Sequence, residues 1–233
     1  MMRVPGRAIR ALAAAVLATA AGWAQCASAA SYADLLAQAK SNVASVDFTA
    51  LREAYADSAE YNPYDREISA LWNAMLTAYS KNDCATALKE AGAILAKNYL
   101  VVDAHVLFAI CRAQVKEPEQ VEQHDAMARG LISSIMASGD GKSPEKAFVV
   151  IAVAEEYSLL GVMCMRSVGQ RLLQKDGHKF DVIEAVDSAG HTASVYFNID
   201  RPAAWFARQQ QLSRIGKSDA PDAGPIRKLC ELL

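Results

Sequence analysis

The chain has 233 residues, 52% of them hydrophobic, enough for one sizeable core or two small modules sharing an interface. Its 24 basic and 26 acidic residues nearly balance. Without a basic excess, a nucleic-acid partner is not expected.

Residues 1–29 read as a cleaved signal peptide. Arg3, Arg7 and Arg10 precede an apolar run from Ala11 to Gly22, and Ala27-Ser28-Ala29 supplies the small residues that signal peptidase accepts. The apolar run is too short to cross a bilayer of about 30 Å as a helix. Removing three arginines and no acid takes the net charge from −2 to −5. Trp23-Ala24-Gln25 lacks the residues a lipoprotein signal places before its cysteine, here Cys26. The expectation is a periplasmic or secreted protein with no transmembrane segment after cleavage.

The mature chain would keep Cys84, Cys111, Cys164 and Cys230, which allow three complete pairings. No cysteine or histidine spacing suggests a metal, and no cofactor motif is complete. If Asp83–Lys97 and Val102–Val115 are antiparallel helices, position 84 lies opposite position 115. Cys111 is one helical turn away, so Cys84–Cys111 is the bridge favoured by reach. Buried free thiols remain the other reading.

Residues 30–137 read as helices. Tyr32–Ala44 carries Leu35, Leu36 and Ala39 on one face, and Asp47 caps Phe48–Ala56. Asn62-Pro63 breaks the pattern within Tyr61-Asn-Pro-Tyr64. Asp65 caps Arg66–Ser80, Asp83 opens a helix to Lys97, Val102–Val115 follows, and Pro118 starts a fourth helix running to about Ala137. Helices joined by tight turns resemble tetratricopeptide hairpins, although the consensus glycine and proline are missing. Such hairpins offer a binding groove; simple mutual packing is the alternative.

Residues 138–202 change character to short β-branched runs between glycine turns. Gly141-Lys142-Ser143 matches the end of a phosphate loop, but Met136 stands where its first glycine belongs, and the flanking elements are inverted. A helix-ending turn at Gly139 and Gly141 is the better reading. Ala147–Val153 reads as a buried strand, and Glu155–Leu160 as a short helix or turn with Glu155 and Glu156 on a solvated face. Met165–Gln174, His178–Val186 and His191–Ile199 read as an antiparallel β-meander. A four-residue loop would pair Val186 with His191, Val182 with Val195 and Phe180 with Phe197. Residues 203–233 read as a short helix around Trp205 and Phe206, then a flexible linker at Gly216–Pro225. The fold class is α+β, with helical hairpins packed on a small C-terminal antiparallel meander.

Candidate catalytic residues are few. His178 and His191 start adjacent antiparallel strands and lie about 25 Å apart, so they cannot share a metal. His178, Asp181 and Asp200 form the one cluster with general-base potential. Cys164 has no histidine partner, and Ser143 and Ser158 lack a nucleophile elbow.

Several blocks occur together: Tyr61-Asn-Pro-Tyr64, Ser138-Gly-Asp-Gly-Lys-Ser-Pro144, Ala147-Phe-Val-Val150, Glu155-Glu-Tyr157, Asp176-Gly-His178 and Tyr196-Phe-Asn-Ile-Asp200. In this order they resemble a bacterial family of exported proteins catalogued as domain of unknown function 4919, over roughly Tyr32 to Pro202. The resemblance implies that helices and strands form one unit, and it carries no catalytic residues. The first functional expectation is a non-catalytic, extracytoplasmic protein-binding or scaffolding module with an unidentified partner in the cell envelope. Tyr61, Asn62, Tyr64, Asp140, Lys142 and Glu145 are the candidate binding residues. The alternative is a small secreted hydrolase-like enzyme using the cluster near His178, and a durable structural envelope protein is a third reading.

Overall fold

The computed structural model describes residues 30–114 and 118–218. The expected signal peptide, Cys230 and the part of the expected linker beyond Ser218 lie outside the described residues.

Helices come first: α1 (Tyr32–Ser41), α2 (Phe48–Asp57), α3 (Arg66–Ser80), α4 (Cys84–Lys97), α5 (Val102–Gln114) and α6 (Pro118–Met136). The expected caps form: Asp47 accepts from Ala50 N, Asp65 from Glu67 N and Ile68 N, and Asp83 from Thr86 N. Ser31 and Asp34 close a capping box on α1, which ends at Ser41, short of Ala44, with a 3-10 turn following. From α3 to α6 each helix packs against the next.

The second half holds β1 (Phe148–Val149), α7 (Val153–Val162), β2 (Arg166–Lys175), β3 (His178–Val186), β4 (Thr192–Asn198) and α8 (Asp200–Ser218). The meander β2–β3–β4 is present, but the sheet is mixed, because β1 pairs with β4 in parallel and the order is β1-β4-β3-β2. The expected seven-residue strand shrinks to two residues. Val150 still bonds to the Asn198 carbonyl, and Ala152 then opens α7.

The β3–β4 register is one residue away from the expected one. Ile183 faces Val195, Ala185 faces Ala193, and Asp181 faces Phe197. The connection is a five-residue loop: Asp187 N donates to His191 O, the Asp187 carboxylate takes the amides of Ala189 and His191, and Gly190 sits at φ +88°. The slip exchanges the faces on which cross-strand apolar pairs fall. Helix α8 also starts earlier than expected, at Asp200, and continues through Gly216 to Ser218, where a linker was expected.

One hydrophobic cluster runs from Tyr32, Leu35 and Leu51 through Met127, Leu131 and Ile135 to Ile183, Val195 and Phe197. Helices and sheet therefore share a core. Close approach of α2 to α6 depends on Gly130, since a β-carbon there would stand 2.1 Å from the Phe48 ring. Met75, Ala91, Ile94 and Leu107 make a smaller core between α3, α4 and α5, extended by Ala78, Ala87 and Cys111. Cys84 and Cys111 are joined by a disulfide, with Cα atoms 5.3 Å apart. On the other sheet face, Ala147 packs with Phe180 and Val182, and Leu173 and Tyr196 lie against them.

Candidate functional site

The boundary between the helical hairpin and the sheet is built around α7. Glu155 and Glu156, expected on a solvated face, are both buried, at 5% and 0% exposure. The reason is their spacing from Leu159 and Leu160, which are also buried: each glutamate shares a helix face with the leucine four residues on. Adjacent residues do diverge on a helix, but here both directions lead into protein.

Glu155 has a complete set of partners. Its two carboxylate oxygens take Arg52 Nε at 3.0 Å and Nη2 at 2.7 Å, and Oε2 also accepts from Ile151 N at 2.9 Å. The guanidinium completes its bonds on Ser134 Oγ and the Val149 carbonyl. This network ties α2, α6, β1 and α7 together.

Among the described residues Glu156 has no hydrogen-bond partner on either carboxylate oxygen, and Oδ1 of buried Asp181 has none either. Burial, reinforced by the charges of Asp181 and Glu155, pushes Glu156 up to about 9, so it is a neutral acid at pH 7. Burial also raises Asp181, against the hydrogen bond from Gln170. Tyr157 donates to Gln170 Oε1 at 2.9 Å, completing a Tyr157–Gln170–Asp181 chain. Tyr64 stands in the same field, packed against Trp205 and Phe206 of α8.

Beside α7 lies a cleft of about 370 Å³ with mostly apolar walls. Ile68 and Trp72 of α3, Val101 before α5, and Val153 and Tyr157 of α7 line it, with Asn62, Asp65, Asn73, Asn98 and Asp103 at polar points. Asp103 fixes the junction, taking Trp72 Nε1 at 2.9 Å and Ser158 Oγ at 2.8 Å. An apolar hollow with a few placed polar groups suits an inserted side chain. Two more open hollows flank α2, one bounded by Asp57 and Arg201, the other by Tyr32 and Glu53.

The sequence-derived candidates separate. Tyr61 is buried and donates to the Ile151 carbonyl at 2.6 Å, so its role is in holding the fold. Asn62 reaches the cleft and accepts from Tyr64 N, whereas Tyr64 belongs to the aromatic group on α8. Asp140, Lys142 and Glu145 lie on the Ser138–Ala147 loop, away from that cleft. Asp140 accepts from Lys142 N and faces Lys146, and Glu145 pairs with Lys175, whose hydrogen bond holds it down to about 2. The amides of Asp140 and Gly141 both donate to the Lys146 carbonyl. They are therefore spent within the loop rather than converging on a phosphate. Gly141, at φ +68°, sits where a β-carbon would strike the Phe148 ring.

His178 Nδ1 donates to Asp200 Oδ2 at 2.6 Å, and Asp200 also accepts from Lys179 N and Asn198 Nδ2. Burial would raise Asp200, but these hydrogen bonds hold it below the usual carboxylate range. Asp181 does not join this pair. It is three residues along β3 and points to the opposite face, where it meets Gln170. The exposed His178–Asp200 pair thus lacks the third member of the expected cluster.

A second histidine pair, missed in the sequence, joins α5 to α6. His105 Nε2 lies 2.7 Å from the Tyr99 carbonyl, which can only accept, so that nitrogen carries the proton. His105 Nδ1 is then bare and accepts from His124 Nδ1 at 2.7 Å. Burial lowers both histidines to about 4, aided at His124 by Arg112. Among the described residues no group of three or more His, Cys, Asp or Glu is placed to hold a metal ion. None of the described helices is long and apolar enough to cross a membrane.

The sequence profile of the domain of unknown function DUF4919 matches residues 24–207. The chain belongs to the DUF4919 family. No curated protein matches it, and no solved structure does. The DUF4919 match takes in every element from α1 to β4, the Arg52–Glu155 network and the cleft beside α7.

Proposed function

We propose that this DUF4919 protein is a non-catalytic, extracytoplasmic protein-binding module whose recognition surface is the cleft between α3 and α7. The observation that carries the reading is the cleft itself: Trp72, Ile68, Val153 and Tyr157 form an apolar hollow at the junction of hairpin and sheet, rimmed by Asn62, Asn73 and Asp103. Its apolar walls with polar points at the rim suit apolar side chains of a partner segment, the usual form of an interface anchor. Export is supported by the basic, apolar and small-residue pattern of residues 1–29 and by the Cys84–Cys111 disulfide, a bond favoured outside the cytoplasm.

The hydrolase-like alternative has less support. His178 and Asp200 form a pair, but among the described residues no nucleophile is hydrogen-bonded to it, and Asp181 is on the other face. The test is recovery of partners from the native cell envelope with the full-length protein and with Trp72→Ala. The reading expects a reproducible partner lost in the variant while its thermal unfolding stays cooperative. Recovery of no partner, or equal recovery with the variant, contradicts it.

A further inference from the structure

Strand β2 ends the sheet, and among the described residues its backbone bonds only to β3. It is ten residues long, and two of its apolar side chains stand in water: Val168 at 51% and Leu172 at 77% exposure. A long edge strand with exposed apolar groups is a template for another strand.

The charge pattern of this edge is one-sided. Arg166, Arg171 and Lys175 are its charged residues, and it holds no acid, in a chain whose total charge is negative. The bulge arranges them. Ser167 pairs with Ala185 and Gly169 with Glu184, which leaves Val168 unpaired and reverses the alternation. As a result Arg166, Arg171 and Lys175 pair with Val186, Val182 and His178, alternate residues of β3, and share one face of the sheet. Gln170 and Leu172 pair with Ile183 and Asp181 and share the other. In a regular strand Arg166 would fall on the Leu172 face instead.

We infer that the free edge of β2 accepts an extended segment of a partner protein in which acidic residues alternate with apolar ones. Its acids would meet Arg166 and Arg171 on one face, and its apolar side chains Leu172 on the other. Charge and sequence pattern rule against two nearer occupants. A second copy of β2 would set basic face against basic face, and in the chain's own C-terminal segment Asp219, Asp222 and Glu231 do not alternate with apolar residues and are interrupted by Pro221 and Pro225. The inference rests on the binding-module reading but uses a surface separate from the α3–α7 cleft.

The probe is a short end-blocked peptide alternating glutamate and valine, added to the full-length protein and followed by fluorescence anisotropy. Binding is expected, with none for the matching lysine–valine peptide, and with loss when alternate peptide nitrogens are methylated so that the strand cannot donate. Arg171→Glu, and independently Arg166→Glu in case the first variant fails to fold, should weaken binding about tenfold or more. Absence of binding overturns the inference, as do equal affinity for the lysine peptide, indifference to both variants, or self-association through this strand in sedimentation. A cleft variant such as Trp72→Ala should leave peptide binding unchanged, so the two surfaces fail or succeed separately.

Discussion

Arg52 of α2 and Glu155 of α7, 103 positions apart in the chain, meet in a two-point ion pair that is almost completely buried on both sides. The pair spans the helical half and the sheet half. Breaking it from one side leaves a buried charge without its counterpart. Arg52→Ala should therefore cost about 3–5 kcal/mol in urea unfolding, whereas replacing both residues by apolar ones of similar volume should restore much of that loss. A single-variant loss under about 1 kcal/mol would show that the pair does not hold the two halves together.

The Glu156 carboxyl sets the alkaline side of the stability profile. Its folded pKa is near 9, against an ordinary 4.5, so the folded state holds a proton that the unfolded chain releases. Stability from this proton is complete below about pH 4.5 and declines as pH rises towards 9, by about 1.4 kcal/mol per unit. The buried histidines act on the acid side. His105 and His124 are lowered from 6.5 to about 4, so their contribution is complete above 6.5 and is lost as pH falls through 4. Glu156→Gln should flatten the decline of the melting temperature from about pH 4.5 to 9, steepen the histidine limb where the two windows overlap, and leave the profile below pH 4.5 unchanged. An unchanged alkaline limb would mean that Glu156 ionises in the folded protein as it does in water.

The Cys84–Cys111 disulfide closes a loop of 27 residues across the α3–α5 core. Chain-entropy arguments assign such a loop about 3–4 kcal/mol. Cys84→Ser with Cys111→Ser should lower stability by about that amount. In native material, mass spectrometry without reductant should find the two peptides linked. Unlinked peptides from the freshly isolated protein would count against both the bridge and the proposed export.

Much of the helical half was legible because its signals are local. Asp47, Asp65 and Asp83 cap where the chain needs an acceptor, and the Leu131 and Ile135 stripe repeats at helical spacing. What escaped was set by contacts between distant residues. The parallel pairing of β1 with β4 and the one-residue slip at the Asp187 loop depend on tertiary packing and on a turn whose length the sequence leaves open. The Glu155–Glu156 error has a different origin. Charge alone suggested solvent, although both residues lie between the apolar run ending at Val153 and Leu159-Leu160. Their spacing from those two leucines was the available clue. The cleft had no such clue beyond Asn62, because Trp72 looks like any other core-facing aromatic on α3 until Asp103 and α7 are placed beside it.

Site-specific photocrosslinking in intact cells that produce the protein tests the central claim most directly. Asn73 is exposed on the cleft rim, and Lys89 is an exposed control position on α4. A photoreactive residue at 73 is predicted to give a discrete protein adduct that a residue at 89 does not. Absence of any adduct at 73 beyond the control would contradict a binding role for the α3–α7 cleft.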